Sequence, residues 1–103
     1  MVLFKRPLLS LILQGRKTQT RRIHKYELTV GRTYGIRSTW FEKPKAHIRI
    51  TRKFRQRLGD ITETEIRKEG FDSLENFKQA WKAIHGDWNP EQTVIAYEFE
   101  LVS

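Results

Sequence analysis

Pro7-Leu-Leu-Ser-Leu-Ile-Leu-Gln-Gly-Arg-Lys-Thr-Gln-Thr-Arg-Arg-Ile23 changes character at its centre. Ahead of Gly15 runs a short apolar segment that opens on proline. Behind it come Arg16, Lys17, Arg21 and Arg22, interleaved with the hydroxyls of Thr18 and Thr20. Proline suits a helix's first turn and glycine its exit, so residues 7–13 are expected to form a short helix. The β-branched residues of 18–23 favour extended chain. A solvated loop needs no such order. Cations that hold phosphates, hydroxyls that fix orientation and a lysine–threonine pair able to do chemistry suit a site for an anionic, planar or acylated ligand.

Outward from this stretch, strand and helix patterns follow one another. Val30-Gly31 reads as a turn and residues 33–37 as a strand, followed by a loop at 41–45 marked by Pro44. Residues 46–54 alternate with period two. Ala46, Ile48 and Ile50 face one way and His47, Arg49, Thr51 and Lys53 the other, which predicts a strand with a basic outer face. Gly59-Asp60 breaks the pattern. Thr62 with Glu65 fits a capping box and predicts a helix over 63–69 stopped by Gly70. Asp72 with Glu75 repeats that signal ahead of a helix over 73–85, with Leu74, Phe77, Ala80, Trp81 and Ile84 on one face and Gly86 at its end. A turn at 87–90 leads into a last strand, 93–102, with Ile95, Tyr97, Phe99 and Leu101 on one side. No repeat or linker interrupts the chain. The pattern predicts one α+β domain over 1–103, its early strands paired with the late one in a small curled sheet or barrel.

The chain has 103 residues, of which 38% are hydrophobic, including six Phe, three Tyr and three Trp. That suffices for one core. There is no cysteine, which excludes disulfides, thiolate nucleophiles and cysteine-built zinc sites. His24, His47 and His85 lack metal-ligand spacing, so neither a metal nor a cofactor is expected. His85 is placed at a helix C-terminus, where a partly positive imidazole is favourable. No run approaches the roughly 20 apolar residues that span a bilayer. The first apolar run is short and followed by cations, unlike a secretory signal, and a soluble cytoplasmic protein is expected.

The net charge of +8 is unevenly spread. Residues 1–57 carry sixteen Lys and Arg against Glu27 and Glu42 alone, a balance of +14. Residues 58–103 carry four against ten acids, a balance of −6. Such asymmetry favours a polyanionic partner for the first half; the alternative is that the two halves pair with each other.

Gly15-Arg16-Lys17-Thr18-Gln19-Thr20-Arg21-Arg22 resembles the signature of the ASCH domain (activating signal cointegrator homology). The likeness covers nearly the whole chain. Leu58-Gly59-Asp60-Ile61-Thr62, Lys68-Glu69-Gly70-Phe71, Phe77, Trp81 and His85-Gly86-Asp87-Trp88-Asn89-Pro90 are similar to small stand-alone prokaryotic members. The resemblance implies a PUA-like fold, a small β-barrel with flanking helices and a cleft between, and recognition of RNA or a nucleoside. One bacterial subgroup of similar size hydrolyses the acetyl amide of N4-acetylcytidine. Its lysine and threonine match Lys17 and Thr20, and its glutamate matches Glu69. The chain departs from that subgroup around 52–61 and at 88–90.

Two functions follow as expectations. In the first, the protein binds RNA or a nucleoside. Arg16, Arg21, Arg22, Arg37, Arg49 and Lys53 are its ligand-binding cations, with Lys25, Lys43, Lys45 and Arg55 on nearby segments, and Trp40, beside Phe41, stacks on an unpaired base. In the second, it is an amidohydrolase. Thr20 is then the nucleophile, Lys17 the base or the oxyanion partner, and Glu69 a proton handler, while Arg21 or amides near the Gly15 turn hold the oxyanion. As a base, Lys17 must be depressed far below its ordinary pKa by burial and neighbouring cations. Positions 17 and 20 of a regular strand point to opposite faces, so convergence requires irregular chain after Gly15. A non-catalytic protein-interaction module fits the charge asymmetry but leaves the lysine–threonine pair unused.

Overall fold

The computed structural model describes residues 2–23 and 27–102; the expectations for His24 and Lys25 lie outside the described residues. The chain forms β1 (Val2–Leu3), α1 (Arg6–Leu13), β2 (Gln19–Arg22), β3 (Thr33–Arg37), β4 (Ala46–Arg57), a 3₁₀ turn (Leu58–Asp60), α2 (Glu63–Glu69), α3 (Leu74–His85) and β5 (Thr93–Leu101). The strands make one curled sheet in the order β1-β3-β4-β5-β2. β1 runs parallel to β3, and all other neighbours are antiparallel. The late strand therefore lies between β4 and β2, as expected for an α+β half-barrel. β1 carries no pattern in the sequence, because two residues are too few to show a period.

The sheet does not close by backbone pairing, since β1 and β2 are its edges. Arg22 spans them: its Nη2 donates to the Leu3 carbonyl at 2.8 Å and its guanidinium lies 4.6 Å from the Phe4 ring centroid. One apolar cluster, including Phe4, Ile12, Ile36, Ile48, Ile50, Tyr97 and Phe99, fills one face of the sheet under α1. A second, Leu58, Phe77, Trp81 and Val94, packs α3 against the other. β5 is buried on both faces from Val94 to Tyr97, whereas the sequence reading gave it one apolar side.

The basic face expected along β4 does not exist as one surface. A register shift between Ile50 and Arg52 leaves Thr51 as an extra residue. One inserted residue exchanges the two faces of every position beyond it. Arg49 pairs with Glu100 and Arg52 with Glu98, but Lys53 pairs with Tyr97 and Arg55 with Ile95. Arg49 and Lys53 therefore stand on opposite faces.

The capping box of α2 forms as read: Thr62 Oγ1 accepts from the Glu65 amide at 3.2 Å and Glu65 Oε1 accepts from the Thr62 amide at 2.9 Å. α3 is capped by Ser73, whose hydroxyl accepts from the Asn76 amide, rather than by Asp72. The amides of Gly70 and Phe71 still return to α2 carbonyls, so residue 72 belongs to the connector. On α3, Phe77 and Trp81 are buried, while Leu74 and Ile84 remain exposed.

Candidate functional site

The site begins with the way α1 ends. Gly15 takes a left-handed φ of 78°, a conformation that side chains with a Cβ resist. The amides of Arg16 and Lys17 both donate to the Leu11 carbonyl, and that of Thr18 donates to the Lys68 carbonyl. The chain thus turns tightly and docks beside the end of α2 before β2 starts at Gln19. Lys17 lies in this irregular segment and Thr20 in the strand, so the opposite-face geometry of a regular strand does not apply. Both side chains are buried and line one cavity.

Lys17 Nζ donates to the Gln19 carbonyl at 2.8 Å, the Glu69 carbonyl at 2.8 Å and Glu69 Oε1 at 2.9 Å. Arg21 is as fully engaged. Its Nη1 reaches Glu69 Oε2 at 2.9 Å and Gln19 Oε1 at 2.6 Å, its Nη2 reaches Glu65 Oε2 at 2.8 Å, and its Nε reaches Gln56 Oε1 at 2.9 Å. Two cations and two carboxylates thus balance inside the protein, with hydrogen bonds on nearly every polar atom, the condition under which buried charge is tolerated. Burial drives the Lys17 ammonium below the ordinary lysine value; Glu69 pulls it back, and Arg22 and Arg21 lower it further. Burial alone would raise the Glu65 carboxyl, but the Thr62 amide, Gln56 and Arg21 together hold it below the usual range.

Thr20 Oγ1 accepts from Arg22 Nε at 3.3 Å. Arg22 makes no ion pair with a carboxylate among the described residues; burial lowers it from the ordinary arginine value, against the pull of the nearby Glu69 charge. The expected oxyanion donors are spent: every N–H-bearing nitrogen of Arg21 is bonded as above, and the amides of residues 15–18 bond to the backbone. Arg22 is the cation aimed at Thr20.

The cavity measures about 740 Å³. Lys17, Thr20, Arg21, Arg22 and Glu69 form its polar part. Phe4, Phe71, Phe77 and Trp81 contribute rings, and exposed Lys5, Trp40, Ile84 and His85 mark its opening. The partly positive imidazole that a helix end favours is opposed at His85. Its ring lies 4.1 Å from that of Trp81, and burial followed by the charge of Arg22 lowers its pKa.

The remaining expected binding residues do not join this cavity. Arg16 is exposed on the far side of the Gly15 turn, beside Arg67 and Asp72. Arg37 donates to the Glu42 carbonyl. Arg49 is ion-paired with Glu100, and Lys53 and Arg55 with Glu27. Arg49 and Arg52 find their glutamates because β4, from the basic half, lies against β5, from the acidic half, whereas Glu27 belongs to the basic half itself. Sequence reasoning missed Gln19, Gln56 and Glu65 as site residues. Glu65 had already been assigned to the capping box, and it serves both ends at once. Among the described residues, no three acidic or histidine side chains group to hold a metal ion, and no helix is long and apolar enough to cross a membrane.

The curled five-strand half-barrel with three flanking helices is an α+β fold that matches ASCH/PUA-like structures. The ASCH domain family model matches residues 1–103, and the chain belongs to that family, whose domains generally bind RNA. The fold is similar to an ASCH domain from Lactobacillus crispatus JV V101, with a TM-score of 0.79 at 19% identity over 92% of this chain and 70% of that one. Protein EF3133 from Enterococcus faecalis V583 gives 0.72 at 22% identity, covering 93% and 67%. The hypothetical protein PH0355 gives 0.73 at 17% identity, covering 96% and 94%. No curated protein matches the sequence.

Proposed function

We propose that this ASCH domain binds a nucleoside, free or as one residue of an RNA strand, in the cavity between the half-barrel and α3. The observation that carries the reading is the meeting of Lys17, Thr20, Arg21 and Glu69, drawn from separate segments, on one cavity of about 740 Å³ with aromatic walls. Small-ligand pockets share this character, with roughly 300–1,000 Å³ of space, apolar walls and a few polar groups that set orientation. A planar base packs among Phe4, Phe71 and Trp81, and its polar atoms meet Thr20 and Arg22. Calorimetric titration with the four common ribonucleosides and short RNA tests this. One-to-one saturable binding, weakened by Thr20→Val in a variant whose circular dichroism is unchanged, is expected. Absence of saturable binding by all of these ligands rejects the reading.

A second reading, hydrolysis of N4-acetylcytidine or a related acylated nucleoside, is favoured by one observation: an alcohol shares the cavity with a buried lysine–glutamate pair. In this reading Thr20 Oγ1 attacks the acetyl carbonyl. The O–C bond forms and the C–N bond breaks; Lys17 hands one of its protons to Glu69 as it takes the proton lost by Thr20, and Glu69 passes the proton on to the departing amine. Water then releases acetate from the acyl-threonine. Lys17, with three N–H donors and three acceptors within 2.9 Å, has none left for an oxyanion. That charge falls to Arg22. Chromatographic detection of cytidine from N4-acetylcytidine, compared with Thr20→Ala, decides it; equal rates remove the reading for that substrate.

A further inference from the structure

The β3–β4 loop carries the most exposed large apolar side chains among the described residues. Phe41 is 100% exposed and Trp40 65%. The loop that presents them is braced. Glu42 Oε1 accepts from the Ser38 amide at 2.7 Å, the Ser38 hydroxyl at 2.5 Å and the Thr39 amide at 3.3 Å, and Arg37 Nη1 donates to the Glu42 carbonyl. The two rings are therefore held outward on a closed turn. Ser38 and Trp40 also line the cavity, so the exposed rings begin at its opening.

The charge around this opening differs from that on β4. Arg49, Arg52, Lys53 and Arg55 are each bound to a glutamate. Lys5, which lines the cavity, and Lys43, two residues beyond Phe41, have no acidic partner among the described residues. Exposed rings beside uncompensated cations are the combination that holds unpaired nucleic acid: every base offers a π-face for stacking, and the cations meet the phosphates.

We propose that the 38–43 loop is a stacking platform for the nucleotide adjacent to the one in the cavity, so that the ligand is a single strand of RNA rather than a free nucleoside. Phe41 stacks on the neighbouring base, Trp40 closes the step between the two positions, and Lys5 and Lys43 contact the intervening phosphate. The inference rests on the cavity reading for the first nucleotide, but the platform is tested by itself.

Affinities for mixed-sequence RNA pentamers and for the single nucleosides are measured on wild type, Phe41→Ala and Lys43→Gln. Both substitutions lie on the exposed loop and leave the core intact. Phe41→Ala is expected to weaken pentamer binding about tenfold and to leave nucleoside binding within about twofold. Lys43→Gln is expected to shrink the salt dependence of pentamer binding by about one phosphate contact. Unchanged pentamer affinity in Phe41→Ala overturns the proposal, as does a wild-type chain that binds no pentamer. Phe41-dependent self-association in sedimentation, or Phe41-dependent adsorption to anionic vesicles with no Phe41 effect on RNA, overturns it in favour of another partner. If pentamers bind through Phe41 but Thr20→Val leaves their affinity unchanged, the cavity reading falls and the platform stands.

Discussion

Lysine, arginine and glutamate meet at several places in this molecule, and two of them are opposite in effect. At the junction of the Gly15 turn, β2 and α2, Lys17, Arg21, Glu65 and Glu69 interlock, and the lysine, arginine and Glu69 are almost wholly removed from water. Along β4 and β5 the same residue types pair as Arg49–Glu100 and Arg52–Glu98, with both arginines about half exposed or more. The surface pairs are screened by solvent, and pairs of this kind contribute little. The interior cluster is costly to break, shifts the titration of its lysine, and shares its cavity with a hydroxyl. Burial, not residue type or local charge density, separates a candidate site from a solvated strand.

The sharpest way to break the comparison is to remove one charge from each region. Glu69→Gln leaves Lys17 and Arg21 buried without their shared carboxylate and is expected to lose about 3–5 kcal/mol of unfolding free energy in urea. Glu100→Gln, measured in the same way, is expected to lose less than about 1 kcal/mol. Comparable losses in the two variants would abolish the distinction.

Gly70→Ala tests how the interior cluster is positioned. Gly70 has a φ of 101°, and a Cβ there would lie 2.8 Å from Leu11 Cδ1. A left-handed alanine costs about 1–2 kcal/mol, and the clash with α1 pushes apart the two segments that bring Lys17 to Glu69. A melting temperature equal to wild type would show that the contact gives way freely. Thr20→Val removes one hydrogen bond from Arg22 at nearly constant volume. It is expected to cost about 1 kcal/mol of stability while weakening nucleoside binding, so its signature is a functional loss larger than the structural one.

The smallest effect concerns the loop beside the cavity. The Ser38 hydroxyl and amide, with lesser help from Lys45, hold the Glu42 carboxyl down to about 2. A depressed acid stabilises the fold fully above its unfolded value and loses that contribution as pH falls through the folded one. The Ser38 and Thr39 amide signals are therefore expected to persist through pH 4 and to shift only as pH approaches 2. A midpoint at the ordinary carboxylate value would mean that the latch does not form in solution.

Local chemistry was legible where a short stretch of chain decides its own conformation. The Thr62–Glu65 box, the Gly15 and Gly70 exits and the alternation of Ala46, Ile48 and Ile50 all read correctly, because caps, left-handed turns and strand periodicity depend on neighbours a few residues away. Reading failed where a single residue changes what lies beyond it. Thr51 looks like one more outward strand residue, yet as a bulge it sends Arg49 and Lys53 to different faces. Glu65 looked fully used as a cap, because nothing local shows that its second oxygen reaches Arg21 from 44 positions away.

By itself, the sequence determined the class of fold, the helix ends and the identity of the lysine, threonine and glutamate worth following, since these rest on local propensity and motif. Only the tertiary structure decided that the three line one cavity, that Arg21 is spent holding the cluster together, and that Arg22 alone is left facing Thr20. Long-range pairing sets those outcomes: which cations find a carboxylate depends on which strands and helices come to lie side by side, and no spacing along the chain records that.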